Sequence, residues 1–202
     1  MSDTFRTLAS PAHAEPPKTK GSRFLAEAVP VRTEAEAMEH LESVRKREHA
    51  ATHHVWAFRL GEEGTGRSSD DGEPSGSSGP PVLREIEGRD LTDVLVVVTR
   101  YYGGTKLGVG GLMRAYAEAA GAALNAARVR EVVVRVPVRL RFAFADTSPA
   151  MRLLDLFDAR VADQTHTASG TELALHVRRS EADDLRAAFV EATSGRGEVV
   201  GG

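Results

Sequence analysis

The residue types best suited to chemistry lie in a glycine-rich turn between a predicted strand and a predicted helix. This turn reads YYGGTKLGVGG at positions 101–111. Free amides at a strand end and at the positive end of a helix dipole attract anions. Arg100, Lys106 and Arg114 can add full positive charges beside those amides. The segment therefore favours a phosphate ligand, and the alternative is a tight crossing in which only small residues fit.

Two known phosphate-binding motifs do not account for this turn. The spacing from Gly103 to Gly108 matches a Walker A loop, but Val109 stands where that motif requires lysine. The dinucleotide-binding fingerprint is also incomplete, because Met113 occupies the position of its third glycine. The turn therefore supports an anion-binding hypothesis without naming a ligand.

A second group of residues has types that acid–base or metal chemistry uses. His53 and His54 are adjacent, so on a strand they point to opposite faces and only one can join a given site. Asp70, Asp71 and Glu73 follow in a loop. One histidine with these acids could form a metal site, but a core histidine beside a solvated acidic turn is the simpler interpretation. We predict no metal, no cofactor and no catalytic residue.

Composition excludes several classes of protein. The 202 residues contain no cysteine, which excludes disulfides, thiolate nucleophiles and cysteine-ligated metal sites. No apolar run is long enough to predict a membrane-spanning helix, and no apolar leader predicts secretion. We therefore expect a cytoplasmic protein without a membrane partner. The net charge is −3, so any nucleic-acid contact must come from a local basic patch.

The elements that must position these residues can be read in order along the first part of the chain. Residues 1–21 are rich in proline and lack periodicity, which predicts a mobile tail. Thr33 and Glu36 form a capping box that begins a helix. The further elements expected are a strand at 53–60, a long loop at 61–81, a short helix at 82–87, a buried strand at 91–99 and a helix at 112–127.

The second part of the chain predicts a βαββαβ order. Apolar residues alternate from 132 to 144, a length too great for one strand of a small domain, and Pro137 interrupts the pattern. We place the domain boundary there. Beyond it, Thr147 or Ser148 is expected to cap one helix and Ser180 a second, around a hairpin. This order is that of a ferredoxin-like domain.

Three segments together resemble the YigZ/IMPACT family. They are HHVWAFRLG at 53–61, DDGEPSGSSG at 70–79 and VVVTRYYGGTKLGVGGLMRAY at 96–116. The resemblance implies an α+β fold with two domains. Residues 22–136 would form an α/β sandwich similar to the ribosomal-protein-like domain IV of elongation factor G. Residues 137–202 would form a ferredoxin-like domain similar to domain V of that factor.

The resemblance also suggests which residues form a binding surface, since the family's most constant surface maps to the second and third segments. The candidate binding residues, from the resemblance and from residue type, are His53, Asp70, Asp71, Glu73, Ser75, Arg100, Tyr101, Tyr102, Gly103, Gly104, Thr105, Lys106, Gly108 and Arg114.

The function that the resemblance implies is a non-catalytic binding protein of the translation or stress-response machinery, with RNA or a ribosome-associated factor as its partner. Eukaryotic members carry a further recognition domain that this sequence lacks, so their inhibition of a starvation-responsive kinase pathway is not carried over. Two alternatives remain open, a magnesium-assisted enzyme acting on a phosphorylated small molecule and a purely protein-binding module. Whether the segments at 70–79 and 101–111 face one cleft bears directly on this choice.

Overall fold

The computed structural model describes residues 3–201, which form two compact units with separate hydrophobic cores. The first unit is Phe5–Val132, and the second is 133–201 together with Asp3 and Thr4. The division falls four residues before the predicted boundary between 136 and 137. Helices and several antiparallel sheets make the fold α+β, as expected.

The first unit is built on a five-stranded antiparallel sheet. Its strands are β2 (Ala12–Ala14), β3 (Arg23–Pro30), β4 (His53–Leu60), β5 (Thr65–Ser69) and β6 (Val94–Tyr101). They lie in the order β2-β3-β6-β4-β5, so β6 is the central strand. Its run of β-branched residues is buried on both faces, as the sequence predicts.

Helices cover both faces of this sheet. One face packs against α1 (Glu34–Arg47). The opposite face packs against α2 (Gly79–Glu87) and α3 (Val109–Ala126). The alanines of α3 at 115, 119, 120 and 123 are buried against the sheet, where their small size allows close approach of the helix.

The start of α1 confirms the predicted capping box in part. The Thr33 hydroxyl oxygen accepts a hydrogen bond from the Glu36 amide at 3.1 Å. A capping box also predicts that the Glu36 carboxylate accepts from the Thr33 amide. It accepts instead from the Arg32 amide, at 2.7 Å. Two amides at the start of the chain's first helix are therefore satisfied by side chains.

Residues 3–21, predicted as a mobile tail, contain two strands; residues 1 and 2 lie outside the described range. β1 (Thr4–Leu8) pairs with β7 (Val129–Val133) in a separate two-stranded sheet, and β2 pairs with β3. The Leu8 side chain is fully buried in the core of the first unit. Strands this short carry little periodicity of their own, and they are ordered by partners distant in sequence.

The second unit has the predicted βαββαβ order. Its elements are β8 (Arg135–Ala143), α4 (Thr147–Leu156), β9 (Arg160–His166), β10 (Gly170–Arg178), α5 (Ala182–Ala192) and β11 (Glu198–Val200). The sheet order is β11-β8-β10-β9 with all neighbours antiparallel, which is the ferredoxin-like arrangement. One face of this sheet packs against α4 and α5.

The predicted strand break at Pro137 is wrong. Pro137 does not separate two strands but lies within β8, opposite His176 of β10. β11 pairs with β8 only at 139–141, so the proline occupies a stretch where the other edge of β8 meets no partner strand among the described residues.

The helix caps of the second unit also differ from those expected. Asp146 and Glu181 precede α4 and α5 at the ends of short 3-10 turns, and neither Thr147, Ser148 nor Ser180 is the cap. The Ser180 amide instead donates to the Asp3 carboxylate at 2.9 Å. In the part of the chain that the structure describes, no helix combines the length and apolar character needed to cross a membrane.

Candidate functional site

The loop at 70–78 and the turn at 101–108 face the same cleft in the first unit. The cleft has a volume of about 520 Å³. Glu73 and Pro74 line it from the loop, while Tyr102 and Lys106 line it from the turn. Its size lies in the range of small-molecule and cofactor sites. The sequence left open whether the segments at 70–79 and 101–111 face one cleft. In the structure both segments line the same cleft.

Strand parity decides which neighbouring side chains reach the cleft. His53 has the parity of Val55 in β4, and Arg100 has that of Val98 in β6; both point to the face covered by α2 and α3. His54 points to the opposite face, where its Nε2 lies 3.2 Å from the Glu48 carbonyl oxygen. The prediction that only one of the two histidines joins a given site is confirmed.

A buried ion pair between Arg100 and Glu73 forms the wall of the cleft. Arg100 Nη1 donates to Glu73 Oε1 at 2.5 Å, and the two side chains are only 5% and 4% exposed. The Tyr116 hydroxyl donates to the same carboxylate oxygen at 2.7 Å. Burial, followed by this hydrogen bond, raises the pKa of Tyr116 far above its ordinary value. Tyr116 is therefore a neutral donor throughout the usual pH range.

The guanidinium of Arg100 lies between two aromatic rings. Its central carbon is 5.6 Å from the centroid of Phe24 and 5.4 Å from that of Tyr102. Arg100 Nη2 donates to the Ser22 hydroxyl oxygen at 3.2 Å. Its Nε–H is buried and has no hydrogen-bond partner within residues 3–201. An unsatisfied buried donor at the wall of a cleft is an unusual feature.

His53 is held in one orientation by the loop. Its Nδ1 lies 2.8 Å from the carbonyl oxygen of Asp71, so this nitrogen carries the proton and donates it, since a carbonyl only accepts. Nε2 then lies 3.8 Å from Glu73 Oε1. The imidazole is thus fixed at the cleft by a backbone group.

Asp70 organises the loop from within. Its carboxylate accepts from the Ser78 hydroxyl at 2.7 Å and from the amides of Gly76, Ser78 and Gly79 at 2.7–2.9 Å. Partial burial acts to raise the pKa of Asp70, but the Ser78 hydroxyl and these amides outweigh it and lower the pKa. The amides of Ser78 and Gly79 belong to the start of α2, so Asp70 caps that helix.

Asp71 also acts within the protein. One carboxylate oxygen accepts from Arg45 Nη2 at 2.9 Å, and the other from the His54 amide at 2.6 Å. Its backbone has a positive φ of 44°, a conformation that aspartate tolerates better than most residues. Both aspartates of the loop thus shape the cleft, and neither lines it.

The glycines of the turn have different structural roles. Gly104 and Gly108 have positive φ values of 84° and 72°, a backbone conformation that glycine adopts readily. A Cβ on Gly103 would overlap with the backbone of Gly21 and Ser22, so close chain approach excludes any side chain there. The Gly103 amide donates to the Ser22 hydroxyl oxygen at 3.2 Å.

The N-terminus of α3 opens onto the cleft. Gly108 is its N-cap residue and provides no side-chain hydrogen bond, and both Gly108 and Val109 line the cleft. Amides in the first turn of a helix have no intrahelical acceptor and carry its positive dipole end. Lys106 lies beside this end, is exposed and has no ion-pair partner in the described part of the chain.

Arg114 lies apart from the other predicted site residues. It lines a smaller cavity of about 210 Å³ with Lys20, Gly111 and Glu118. Leu107 lines both cavities.

Three further candidates are placed as follows. Tyr101 points to the α1 face, where its hydroxyl donates to Glu48 Oε2 at 2.7 Å; this bond, with burial, raises its pKa. Ser75 and Thr105 are exposed and do not line the cleft.

Several residues of the site were not predicted from the sequence. Ser22 and Tyr116 complete the hydrogen bonds around Arg100 and Glu73, and Thr52 accepts from the Tyr102 amide at 3.2 Å. Of these three residues, only Tyr116 has a sequence pattern that indicates burial. It follows Leu112 by four residues and therefore lies on the same buried face of α3. Within residues 3–201, no group of three or more His, Asp and Glu side chains is arranged to hold a metal ion.

This combination, an α/β sandwich with a composite cleft followed by a ferredoxin-like unit, defines a two-domain α+β protein. Residues 20–124 match the family described as the Impact N-terminal domain. The chain belongs to the IMPACT family.

Curated relatives agree with this assignment. The chain is 34% identical over 181 residues to the IMPACT family member YvyE of Bacillus subtilis, covering 88% of this chain and 82% of that one. It is 40% identical over 158 residues to an IMPACT family member of Thermus thermophilus, covering 77% and 84%. It is 30% identical over 152 residues to the IMPACT family member YigZ of Escherichia coli, covering 74% of each.

A solved structure, described as that of a hypothetical protein, is similar with a TM-score of 0.73 and 25% identity. The match covers 98% of this chain and 97% of the chain in that structure.

Proposed function

We propose that this chain is a cytoplasmic, non-catalytic binding protein of the translation or stress-response machinery that contacts RNA through the cleft of its first unit. The observation that carries the proposal is the position of Lys106. This unpaired cation lies in the cleft beside the open N-terminus of α3. Positive charge and free amides at one place are the features that bind phosphate.

The aromatic lining of the cleft supports RNA over a simple inorganic anion. Tyr102 is 47% exposed and lies over the Arg100 guanidinium. Exposed aromatic rings stack on unpaired bases, and stacking is the usual way in which proteins bind single-stranded RNA. Arg100 itself is neutralised by Glu73, so the net positive charge of the cleft comes from Lys106 and the helix end.

The order of the two units supports a partner in translation by analogy. An α/β sandwich followed by a ferredoxin-like domain is the order expected from the resemblance to domains IV and V of elongation factor G. The local basic site is also consistent with the net charge of −3, because the rest of the surface need not be basic.

The test compares Lys106→Gln with Lys46→Gln for binding to bulk RNA and to ribosomes between low and physiological salt. Lys46 is an exposed lysine of α1 without an ion-pair partner in the described residues, on the opposite side of the sheet. We expect the Lys106 variant alone to bind more weakly, with a salt slope reduced by about 0.7 for a contact to a single strand. Equal affinities and slopes for wild type and both variants would contradict the RNA assignment.

One observation favours the alternative of an enzyme acting on a phosphorylated small molecule. His53 is oriented through Nδ1 and presents Nε2 to the cleft, as an acid–base imidazole would be. A thermal-shift screen with nucleotides and phosphate esters, with and without Mg²⁺, tests it. A ligand present at about 100 times its Kd should stabilise the protein by about 2.7 kcal/mol. Stabilisation by one compound that is lost in His53→Asn, which keeps the donor to Asp71, would favour the enzyme.

A further inference from the structure

A second cavity, lined by two cationic side chains, shares Leu107 with the cleft. Lys20 and Arg114 line it, and both are exposed with no ion-pair partner in residues 3–201; Glu118 contributes one acidic side chain. A Cβ built on Gly110 would lie 3.7 Å from Arg114 Nη1, so the guanidinium sits beside the first turn of α3. The positive end of α3 is therefore flanked by Lys106 on one side and by Arg114 on the other.

Among residues 3–201, Leu107 alone belongs to the linings of both cavities. A ligand that fills the cleft reaches the second cavity by crossing this one side chain. A mononucleotide needs one site for its phosphate, whereas this surface offers two cationic sites, one at Lys106 and one at Lys20 and Arg114. Two neighbouring cationic sites match the repeated phosphates of a nucleic-acid strand.

We infer that the ligand of this surface is single-stranded RNA that crosses Leu107. One unpaired base lies against Tyr102, a phosphate contacts Lys106 and the start of α3, and a neighbouring phosphate contacts Lys20 and Arg114. A base held in a duplex cannot leave its stack to reach a ring within the cleft, so the strand must be unpaired there. This inference rests on the proposed RNA-binding function and adds the strandedness and path of the ligand.

The test uses three probes, an octamer of uridylate, the same octamer in a duplex with its complement, and uridine monophosphate. Binding is measured for wild type, for the double variant Lys20→Gln/Arg114→Gln, for Tyr102→Ala and for the control Arg84→Gln. Arg84 is an exposed residue of α2 whose side chain has no partner in the described residues. Circular dichroism and thermal melting confirm that each variant is folded.

We expect the double variant to bind the octamer about tenfold more weakly, with a salt slope reduced by about 0.7, because the contact to one phosphate is lost. Its affinity for uridine monophosphate should be unchanged. Tyr102→Ala should weaken binding of the octamer and of uridine monophosphate. The duplex should bind wild type more weakly than the single-stranded octamer does. Arg84→Gln should behave as wild type.

Three results would overturn the inference. In the first, the double variant binds the octamer with the affinity and salt slope of wild type, while Lys106→Gln binds it more weakly. RNA then binds through the cleft, but the path across Leu107 is wrong. In the second, the duplex binds as tightly as the single strand and Tyr102→Ala has no effect. In the third, wild type binds no RNA probe at low salt, in which case the proposed function fails as well.

Discussion

At the scale of single residues, the ion pair of Arg100 and Glu73 is the most consequential feature of the site. Both side chains are almost fully buried, so removing one partner leaves the other charged without compensation. We predict that Arg100→Met and Glu73→Gln each lower the free energy of unfolding by about 3–5 kcal/mol. The double variant should lose clearly less than the sum, because no unpaired charge remains buried.

Chemical denaturation of the four proteins measures this coupling. A matched cycle on the exposed pair of Arg186 and Asp183 serves as the control, because surface ion pairs contribute little. Additive losses at Arg100 and Glu73 would mean that the pair is not coupled. The result also decides how binding data are interpreted, since an Arg100 variant that is partly unfolded says nothing about ligand contact.

Asp70 predicts a dependence of stability on acid pH. Its folded-state pKa is lowered, so its contribution is fully present above the unfolded pKa of about 3.9 and is lost as pH falls through the folded value. We predict that Asp70→Asn costs about 1–2 kcal/mol at pH 7, because a helix cap and several hydrogen bonds are weakened.

Thermal or urea unfolding between pH 7 and pH 2 measures the effect. The difference between wild type and Asp70→Asn should begin to shrink as the pH falls below about 4, where Asp70 is protonated in the unfolded chain. It should be smallest below the lowered folded-state pKa, where Asp70 is protonated in the folded protein as well. Asp155→Asn, at an exposed position of α4, should show no such trend. A difference that stays constant down to pH 2 would show that the charge of Asp70 contributes nothing.

At the scale of elements, the turn before α3 contains glycines required for different reasons. Gly103→Ala should be the most destabilising substitution, because a Cβ would meet the backbone of Gly21 and Ser22. Gly104→Ala should cost about 1 kcal/mol, since its φ is positive but the space around it is open. Gly110→Ala lies within the helix, where a Cβ would meet only Arg114, and stability should be unchanged or slightly higher.

An alanine scan with melting temperature and RNA affinity measured separately tests this order. The expectation that some glycines keep amides open to a ligand is tested at Gly110, whose variant should stay stable and bind more weakly. If Gly110→Ala is as destabilising as Gly103→Ala, the turn is structural throughout. The case for a phosphate site beside Lys106 would then be weakened.

Elements whose signals are local were predicted well from the sequence. The capping box at Thr33, the buried strand β6 and the helix α3 each follow from residues close together in the chain. Strand parity likewise separated His53 from His54 correctly. Features that depend on distant partners were missed, and among them are β1 and β2.

The same distinction applies to the site. Residue type identified the glycine turn and the acidic loop, and both line the cleft. The internal roles of Asp70 and Asp71 could not be predicted, because they depend on how the loop folds back onto α2 and β4. The hydrogen bonds of Ser22 and Tyr116 depend on residues that are 78 and 43 positions away from their partners.

At the scale of the whole molecule, the N-terminal segment is part of the folded structure. The Ala9 amide donates to the Arg128 carbonyl oxygen at 2.7 Å, and the Thr92 amide donates to that of Arg6 at 2.9 Å. Leu8 is fully buried among the core residues of the first unit. β1 therefore contributes both strand pairing with β7 and apolar burial.

We predict that a chain beginning at Ser10 is much less stable than the full chain. Leu8→Ala alone should cost about 2–5 kcal/mol, the range for buried leucines, and the truncation should cost more because the partners of β1 are exposed as well. Pro11→Ala, at an exposed position close to the cut, is the control and should leave stability near that of wild type. Urea unfolding of the four proteins makes the comparison. If the truncated chain melts like the full one, β1 contributes nothing to the core, and the segment is the dispensable tail that its proline content suggested.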